Sequence, residues 1–299
     1  MTREAFDDRY ARLANGKVQD QGEDYRDRAK GALWGLVIGD CLGSPIQFSG
    51  KDSHPWITGM VKCPVFRLPP GYWTDDGSMA MCIMDSYIRK GCYDLKDVGN
   101  TFVRWYQNGH LSSVNGRSFD VGNATAVACK EIAFRKSFVN GREESQGNGS
   151  IMRFSPSWLL AKKEGNPAKV MHEISDLTHC STAVRAVVDR FAGILDEHIA
   201  GKRTSVVSTY KTREDVNNSG WAVSSLEAAL WAFNTTHNFR DALVAAVNLG
   251  GDADTIGAVC GQIAGAYYGY SAIPRKWLEA VKDRQDVDAL IEKFLDIVL

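Results

Sequence analysis

The sequence predicts an all-α protein that folds as a single compact orthogonal multi-helix domain. Apolar residues recur at the three- and four-residue spacing of amphipathic helices through most of the chain. Patterns typical of strands are scarce, and the best candidate, residues 206–210, could equally be the end of a helix. No linker is long or biased enough in composition to divide the 299 residues, so we expect one domain.

Helical periodicity marks twelve segments in chain order. Six lie in the first part of the chain, at about 24–40, 76–90, 95–108, 120–135, 150–164 and 167–177. Six more follow at about 180–200, 221–233, 239–248, 253–269, 274–283 and 286–298. Proline and glycine cluster at 43–71, 139–149 and 213–220, which predicts loops in those three regions.

The composition excludes several classes of protein. The chain is 44% hydrophobic and holds 35 basic against 36 acidic residues, so it offers no basic surface for nucleic acid. Its apolar stretches are too short and interrupted to cross a membrane. The seven cysteines include no CxxC pair, which argues against a disulfide framework or a zinc site. The charged N-terminus does not resemble a secretory signal, and we expect a cytoplasmic protein.

Two predicted helices carry glycine at every fourth position. These glycines are Gly31, Gly35, Gly39 and Gly43 near the start, and Gly257, Gly261, Gly265 and Gly269 near the end. Residues four apart share one helix face, and each glycine costs about 0.5–1 kcal/mol relative to alanine. We expect close packing of helices as the compensation, which would hold the adjoining helix ends rigidly.

Two short acidic segments carry the clearest chemical signal. They are residues 73–78 (WTDDGS) and 250–257 (GGDADTIG), and each leads into a predicted helix, where exposed N–H groups favour a carboxylate. If the segments meet, repulsion among their carboxylates requires cations. Oxygen ligands of this kind suit Mg²⁺ or Mn²⁺ better than zinc or copper. The proposed ligands are Thr74, Asp75, Asp76, Asp252, Asp254 and Thr255.

Two other interpretations of the acidic segments remain open from the residues alone. The first is a pair of unrelated helix caps, made by Thr74 or Asp75 and by Asp252 or Asp254. The second is a conventional glycosidase pair, with one carboxyl as acid and the other as base or nucleophile. The threonines favour the metal site, because they add nothing to such a pair and are natural metal ligands.

Six segments, taken in order, resemble the ADP-ribosylglycohydrolase family. They are residues 31–43, 73–78, 119–123, 147–153, 178–179 and 250–257. The resemblance implies a family domain over 26–299, preceded by an extension over 1–25. It also implies a centre of two divalent cations, Mg²⁺ or Mn²⁺, built from the six oxygen ligands named above. Within that centre Asp75, Asp76 and Asp254 are the candidate catalytic residues.

The same resemblance implies a substrate and its contacts. The reaction would remove ADP-ribose from a modified protein, with arginine as the leading linkage ahead of serine. Asn148, Gly149 and Ser150 would hold the diphosphate at a helix start, chiefly through backbone N–H groups, and His179 would contact phosphate or ribose. Asp120 would receive the guanidinium, which a carboxylate pairs with in a two-pronged contact. From the sequence Asp120 could also cap the following helix.

Gln47 and Asp40 also bear on the chemistry of the predicted site. Gln47 stands where many relatives carry a glutamate thought to help catalysis, and an amide cannot exchange a proton in that way. Acid–base work would then fall to a metal-associated aspartate, or activity would be low, or the range of substrates narrower. Asp40 is expected to orient the metal ligands without binding the metal itself, although it could be a buried helix-end cap.

Gln47 and the N-terminal extension also keep a second class of function open. This alternative is a catalytically weak ADP-ribose-binding or toxin-blocking protein of the same fold, and a third is a hydrolase of small ADP-ribose conjugates. Residues 4–14 place apolar side chains on one face of a predicted helix. That helix would pack on its own core or dock a partner, for example a cognate ADP-ribosyltransferase.

Overall fold

The computed structural model describes residues 21–299, so the predicted helix over residues 4–14 and its docking role lie outside the described chain. Within residues 21–299 the protein forms twelve α-helices and one short 3₁₀ helix, and this part contains no β-strand. The all-α prediction is confirmed. None of the helices in this part is long and apolar enough to cross a membrane.

The helix bounds follow the predicted segments closely. In chain order they are α1 (Gln21–Gly43), α2 (Asp75–Lys90), α3 (Leu95–Asn108), α4 (Asn123–Arg135), α5 (Phe154–Glu164), α6 (Pro167–Asp176), α7 (Thr182–Ile199), α8 (Ala222–Asn234), α9 (Phe239–Val247), α10 (Ala253–Tyr268), α11 (Arg275–Ala280) and α12 (Arg284–Val298). The largest discrepancy is α5, which begins at Phe154, whereas its predicted start was residue 150.

The strand prediction over residues 206–210 is wrong. The segment has no regular secondary structure, and it is not a helix end either, because α7 ends at Ile199. Side chains of α8 satisfy its backbone: Ser208 N–H donates to Asn234 Oδ1 at 3.0 Å, and Thr209 N–H donates to Glu227 Oε2 at 2.6 Å. These side chains accept the hydrogen bonds that the carbonyl groups of a neighbouring strand would accept in a β-sheet.

The glycine stripes pack against each other, as predicted. A Cβ atom added to Gly35 would lie 2.0 Å from the carbonyl oxygen of Gly261, and one added to Gly39 would lie 2.0 Å from that of Gly257. No side chain fits at such distances, so α1 and α10 are in direct backbone contact. Successive glycines along α1 meet glycines that come progressively earlier in α10, so the two helices run antiparallel.

This antiparallel packing determines where the acidic residues lie. The last turn of α1 faces the first turn of α10, since a Cβ on Gly43 would lie 2.2 Å from the carbonyl oxygen of Ala253. Asp40 and Asp254 are therefore brought together at one end of the helix pair, and both are buried. The prediction that glycine packing holds these helix ends beside the site is confirmed.

Candidate active site

A cavity of about 490 Å³ opens where the starts of α2 and α10 meet the loops that precede α4 and α5. Most of the predicted site residues line it: Asp75, Asp120, Asn148, Gly149, His179, Asp252, Asp254 and Thr255. The other three, Thr74, Asp76 and Ser150, are buried next to residues that line the cavity. The structure thus brings both acidic segments and the proposed substrate contacts to one place.

The two acidic segments are joined directly. Thr255 Oγ1 donates to Asp76 Oδ1 at 3.1 Å across 179 residues of sequence. Thr74 and Asp252 occupy the N-cap positions of α2 and α10, but neither side chain caps its helix. The alternative of two unrelated helix caps is therefore wrong.

Asp40 links α1 to the start of α2. Its carboxylate accepts hydrogen bonds from Thr74 N–H at 2.9 Å, from Thr74 Oγ1 at 2.9 Å and from Gly77 N–H at 2.9 Å. It caps α2 instead of its own helix. Its oxygens also lie within 4.8 Å of those of Asp76 and Asp254. Both of its oxygens are hydrogen-bonded to the start of α2, so Asp40 holds in place the turn that carries Asp75 and Asp76.

Six aspartates form what we call the acidic cluster: Asp40, Asp75, Asp76, Asp120, Asp252 and Asp254. Four are buried and two are half-buried. Burial raises the pKa of every one, that of Asp40 to about 7, and for Asp75, Asp76 and Asp254 repulsion by the other carboxylates raises the pKa further.

No lysine or arginine within residues 21–299 forms a salt bridge with the acidic cluster. At neutral pH such a group of carboxylates needs either protons or metal cations to stay buried. The available donors are carboxylate and hydroxyl oxygens only, which is the donor set of Mg²⁺ and Mn²⁺. The chemistry of these residues thus fits a centre of hard divalent cations.

Asn148 is tied to the acidic cluster by its side chain. Its Nδ2 donates to Asp252 Oδ2 at 2.5 Å and to Ser225 Oγ at 2.8 Å, and its backbone N–H donates to Gly220 O at 3.1 Å. The amide therefore orients a candidate metal ligand. The backbone N–H of Asn148 is also occupied, so the N–H groups available to a substrate here are those of the residues that follow it.

The residues after Asn148 form a turn where the sequence predicted the start of a helix. Ile151 N–H donates to Asn148 O at 2.9 Å, and α5 begins only at Phe154. The N–H groups of Gly149 and Ser150 make no hydrogen bond to any other described residue, and the buried Ser150 hydroxyl also has no partner there. The turn, not a helix end, supplies the N–H donors beside the cavity.

Asp120 does not cap α4. That helix has Gly122 at its N-cap position and no side-chain cap. Instead, Asp120 Oδ2 accepts a hydrogen bond from Gln47 Nε2 at 2.7 Å, and the Asp120 backbone adopts the left-handed conformation with φ 56°. The helix-cap interpretation is wrong. The carboxylate lines the cavity, where it is hydrogen-bonded to Gln47 and to Asp254.

Phe48 and Arg153 belong to the site, but no motif in the sequence predicts a role for them. Phe48 lines the cavity, is 71% exposed and has a φ of 65°, a conformation that bulky residues rarely adopt. Its N–H donates to Gly251 O at 2.6 Å, so the loop is fixed by a residue about 200 positions away that no local pattern reveals. Arg153, only 1% exposed, did leave a signal, because it is a charged residue between apolar neighbours.

Comparisons with known proteins agree on one family. The family model of the ADP-ribosylglycohydrolases matches residues 21–298. The chain is 37% identical over 289 residues to the ADP-ribosylarginine hydrolase Tri1 of Serratia proteamaculans, covering 89% of this chain and 78% of that protein. Its identity to the Tri1 hydrolase of Pseudomonas putida is 36% over 296 residues, covering 92% and 79%. A solved ADP-ribosylglycohydrolase-related protein complex matches with a TM-score of 0.79 at 31% identity, covering 93% of this chain and 100% of that chain.

Proposed function

Because this chain belongs to the ADP-ribosylglycohydrolase family, we propose that it removes ADP-ribose from arginine side chains of modified proteins with the help of two divalent cations. The observation that carries the proposal is the meeting of the two acidic segments, residues 73–78 and 250–257, with Asp120 in one cavity. A single bound substrate could then contact the cation-binding residues with its ribose and Asp120 with its arginine.

The cations would be Mg²⁺ or Mn²⁺, held by Thr74, Asp75, Asp76, Asp252, Asp254 and Thr255. When bound, they would bind the ribose hydroxyls and lower the pKa of a water molecule beside the glycosidic bond. Asp40 holds the start of α2, and Asn148 holds Asp252, so two hydrogen-bonded neighbours fix the ligand geometry.

A proton acceptor must come from the acidic cluster, since Gln47 has no carboxyl. Asp75 and Asp254 both line the cavity, and burial raises the pKa of each well above that of an exposed aspartate. That rise belongs to the metal-free protein, and what assigns the proton acceptor is position, because both carboxylates lie beside the space that a substrate and its water would occupy. Asp75, Asp76 and Asp254 are therefore our candidates for catalysis, with Asp76 acting from its buried position.

The arginine preference rests on the pair formed by Gln47 and Asp120. Burial raises the pKa of Asp120, and the hydrogen bond from Gln47 works against that rise and favours the ionised form. Gln47 donates to one carboxylate oxygen, and a guanidinium would replace the contact that Asp120 makes with Asp254. A glutamate at position 47 would place a second negative charge 2.7 Å from Asp120.

The proposal is tested by release of free ADP-ribose from arginine-linked, serine-linked and acetyl-linked substrates, with Mg²⁺ or Mn²⁺ present. We expect many turnovers on the arginine-linked substrate and far fewer on the others. Asp75→Asn is the inactive control. Equal rates on serine-linked substrate would refute the arginine preference, and release of no more than one equivalent would favour the blocking protein.

A further inference from the structure

Arg153 is a buried cation that forms no salt bridge among the described residues. Burial lowers its pKa, and Asp75 and Asp76 are close enough to raise it in part. Its Nη2 donates to Thr178 Oγ1 at 2.7 Å, and its Nη1 donates to the carbonyl oxygen of Gly149. Burying a guanidinium without a carboxylate is costly. A third, longer hydrogen bond goes from Nη1 to Met79 Sδ at 3.8 Å. The bonds to Gly149 and Thr178 reach the two segments that lie on either side of the His179 ring in the cavity wall.

The need to satisfy every polar hydrogen sets the direction of the hydrogen bonds around Thr178. Thr178 Oγ1 lies 2.7 Å from Arg153 Nη2 and 2.7 Å from His179 Nδ1. A guanidinium only donates, so the threonine oxygen accepts from Arg153. The buried Thr178 hydroxyl has no acceptor other than Nδ1 among the described residues, so donation to Nδ1 is the arrangement that satisfies its hydrogen. In a neutral imidazole with Nδ1 as acceptor, the single proton is on Nε2. Burial, and after it Arg153, lowers the pKa of His179 to about 3, which keeps the ring neutral.

The Nε2 atom lies in a gap that two glycines leave open. A Cβ atom added to Gly149 would lie 2.4 Å from His179 Cε1 and 2.9 Å from Nε2, and one added to Gly147 would lie 3.3 Å from Nε2. All three residues line the cavity. No other described residue hydrogen-bonds to Nε2, so its proton is available to a bound molecule.

We propose that Arg153 and Thr178 are positioning residues that hold His179 as an Nε2–H donor toward an oxygen of the substrate diphosphate. The N–H groups of Gly149 and Ser150 complete the same donor set, which we call the donor cluster: Gly149, Ser150, Arg153, Thr178 and His179. Arg153 joins its two halves, because it bonds to Gly149 O as well as to Thr178. The inference rests on the proposed function for the identity of the ligand, but the proton position does not.

The test combines ¹H–¹⁵N NMR of the histidine ring with calorimetric binding of ADP-ribose in the presence of Mg²⁺. In the wild-type protein we expect His179 to be protonated on Nε2. Thr178→Val should allow the other tautomer and weaken ADP-ribose binding about 10-fold. Thr178→Ser keeps the hydroxyl and should restore both readouts. Thr101→Val is the matched control, since Thr101 is a buried threonine that accepts from two arginines far from the cavity.

Three outcomes would overturn the inference. The first is a wild-type His179 protonated on Nδ1, a result that needs no variant to fold. The second is a folded Thr178→Val protein with unchanged tautomer and affinity. The third is an Nε2–H ring in a wild-type protein that does not bind ADP-ribose. That last result would refute the diphosphate contact and the proposed function together, while leaving the direction of the hydrogen bonds intact.

Discussion

The acidic cluster and the donor cluster border the same cavity but are built in different ways. The acidic cluster lies mainly at helix ends, and α1 and α10 fix two of those ends by backbone contact along the glycine stripes. The donor cluster lies mainly on a turn and a loop, which one buried arginine joins. One cluster depends on the packing of helices, and the other depends on a few hydrogen bonds.

The difference also concerns charge. The acidic cluster holds buried carboxylates, whereas the donor cluster holds a buried guanidinium, and neither forms a salt bridge within the described chain. Burial lowers the pKa of Arg153, and Asp75 and Asp76 are close enough to raise it in part, but they make no direct contact that would pair it. Divalent cations would neutralise the carboxylates, and the diphosphate of the substrate would bind the donor cluster. The two sides of the cavity would therefore bind different components of one complex, the cations on one side and the diphosphate on the other.

The largest effect is expected from Asp254→Asn. The change removes a candidate metal ligand and should lower ADP-ribosylarginine hydrolysis about 1,000-fold or more, because such sites act as units. It also removes one of the mutually repelling carboxylates, so the melting temperature of the metal-free protein should rise. Loss of activity together with a lower melting temperature would instead indicate that Asp254 is needed for folding.

The packing beneath the acidic cluster is tested by Gly35→Val. The added side chain would collide with the Gly261 carbonyl, so the free energy of unfolding should fall by about 3 kcal/mol or more. Gly193→Ala is the matched control, since Gly193 is an exposed helical glycine of α7 with no atom within 4 Å of an added Cβ. That control should gain about 0.5–1 kcal/mol. Similar denaturation midpoints for the two variants would contradict the glycine-packing account.

Asp120→Ala should impair cleavage of the arginine linkage without impairing binding of the nucleotide. Loss of a charged hydrogen bond to the guanidinium should lower cleavage of arginine-linked ADP-ribose by about 10- to 100-fold. Binding of free ADP-ribose, measured by calorimetry, should stay within about twofold, because Asp120 is proposed to contact only the arginine end. Equal losses in both assays would assign Asp120 to the structure of the cavity instead.

The acidic cluster also predicts how stability depends on pH. Its carboxyls have raised pKa values when folded and ordinary values when unfolded, so the folded metal-free protein binds more protons. Stability should therefore fall as the pH rises from about 4 through the folded pKa values, including that of Asp40 at about 7. Differential scanning fluorimetry should show a lower melting temperature at pH 8 than at pH 5.5, and a larger gain from Mn²⁺ at pH 8. A metal-free melting temperature that rises over this interval would contradict the account.

The sequence predicted the acidic cluster far better than the donor cluster, for a physical reason. Helix periodicity, glycine spacing and helix-start carboxylates are local patterns, and they placed Asp40 and Asp254 on helices that turned out to pack together. Residues 150–153 also look helical, yet they form a turn, and the Arg153 side chain reaches back to Gly149 O. The left-handed Phe48 and the bond from Gln47 to Asp120 depend on contacts across the fold, which no window of sequence contains.

The acidic cluster is proposed to work only with divalent cations, and one assay tests this dependence most directly. Release of ADP-ribose from an ADP-ribosylarginine protein is followed in excess chelator and again after Mg²⁺ or Mn²⁺ is restored. We expect release to stop in chelator and to recover when the cation returns, because the carboxylates would otherwise repel the substrate and one another. Undiminished turnover in excess chelator would contradict the account.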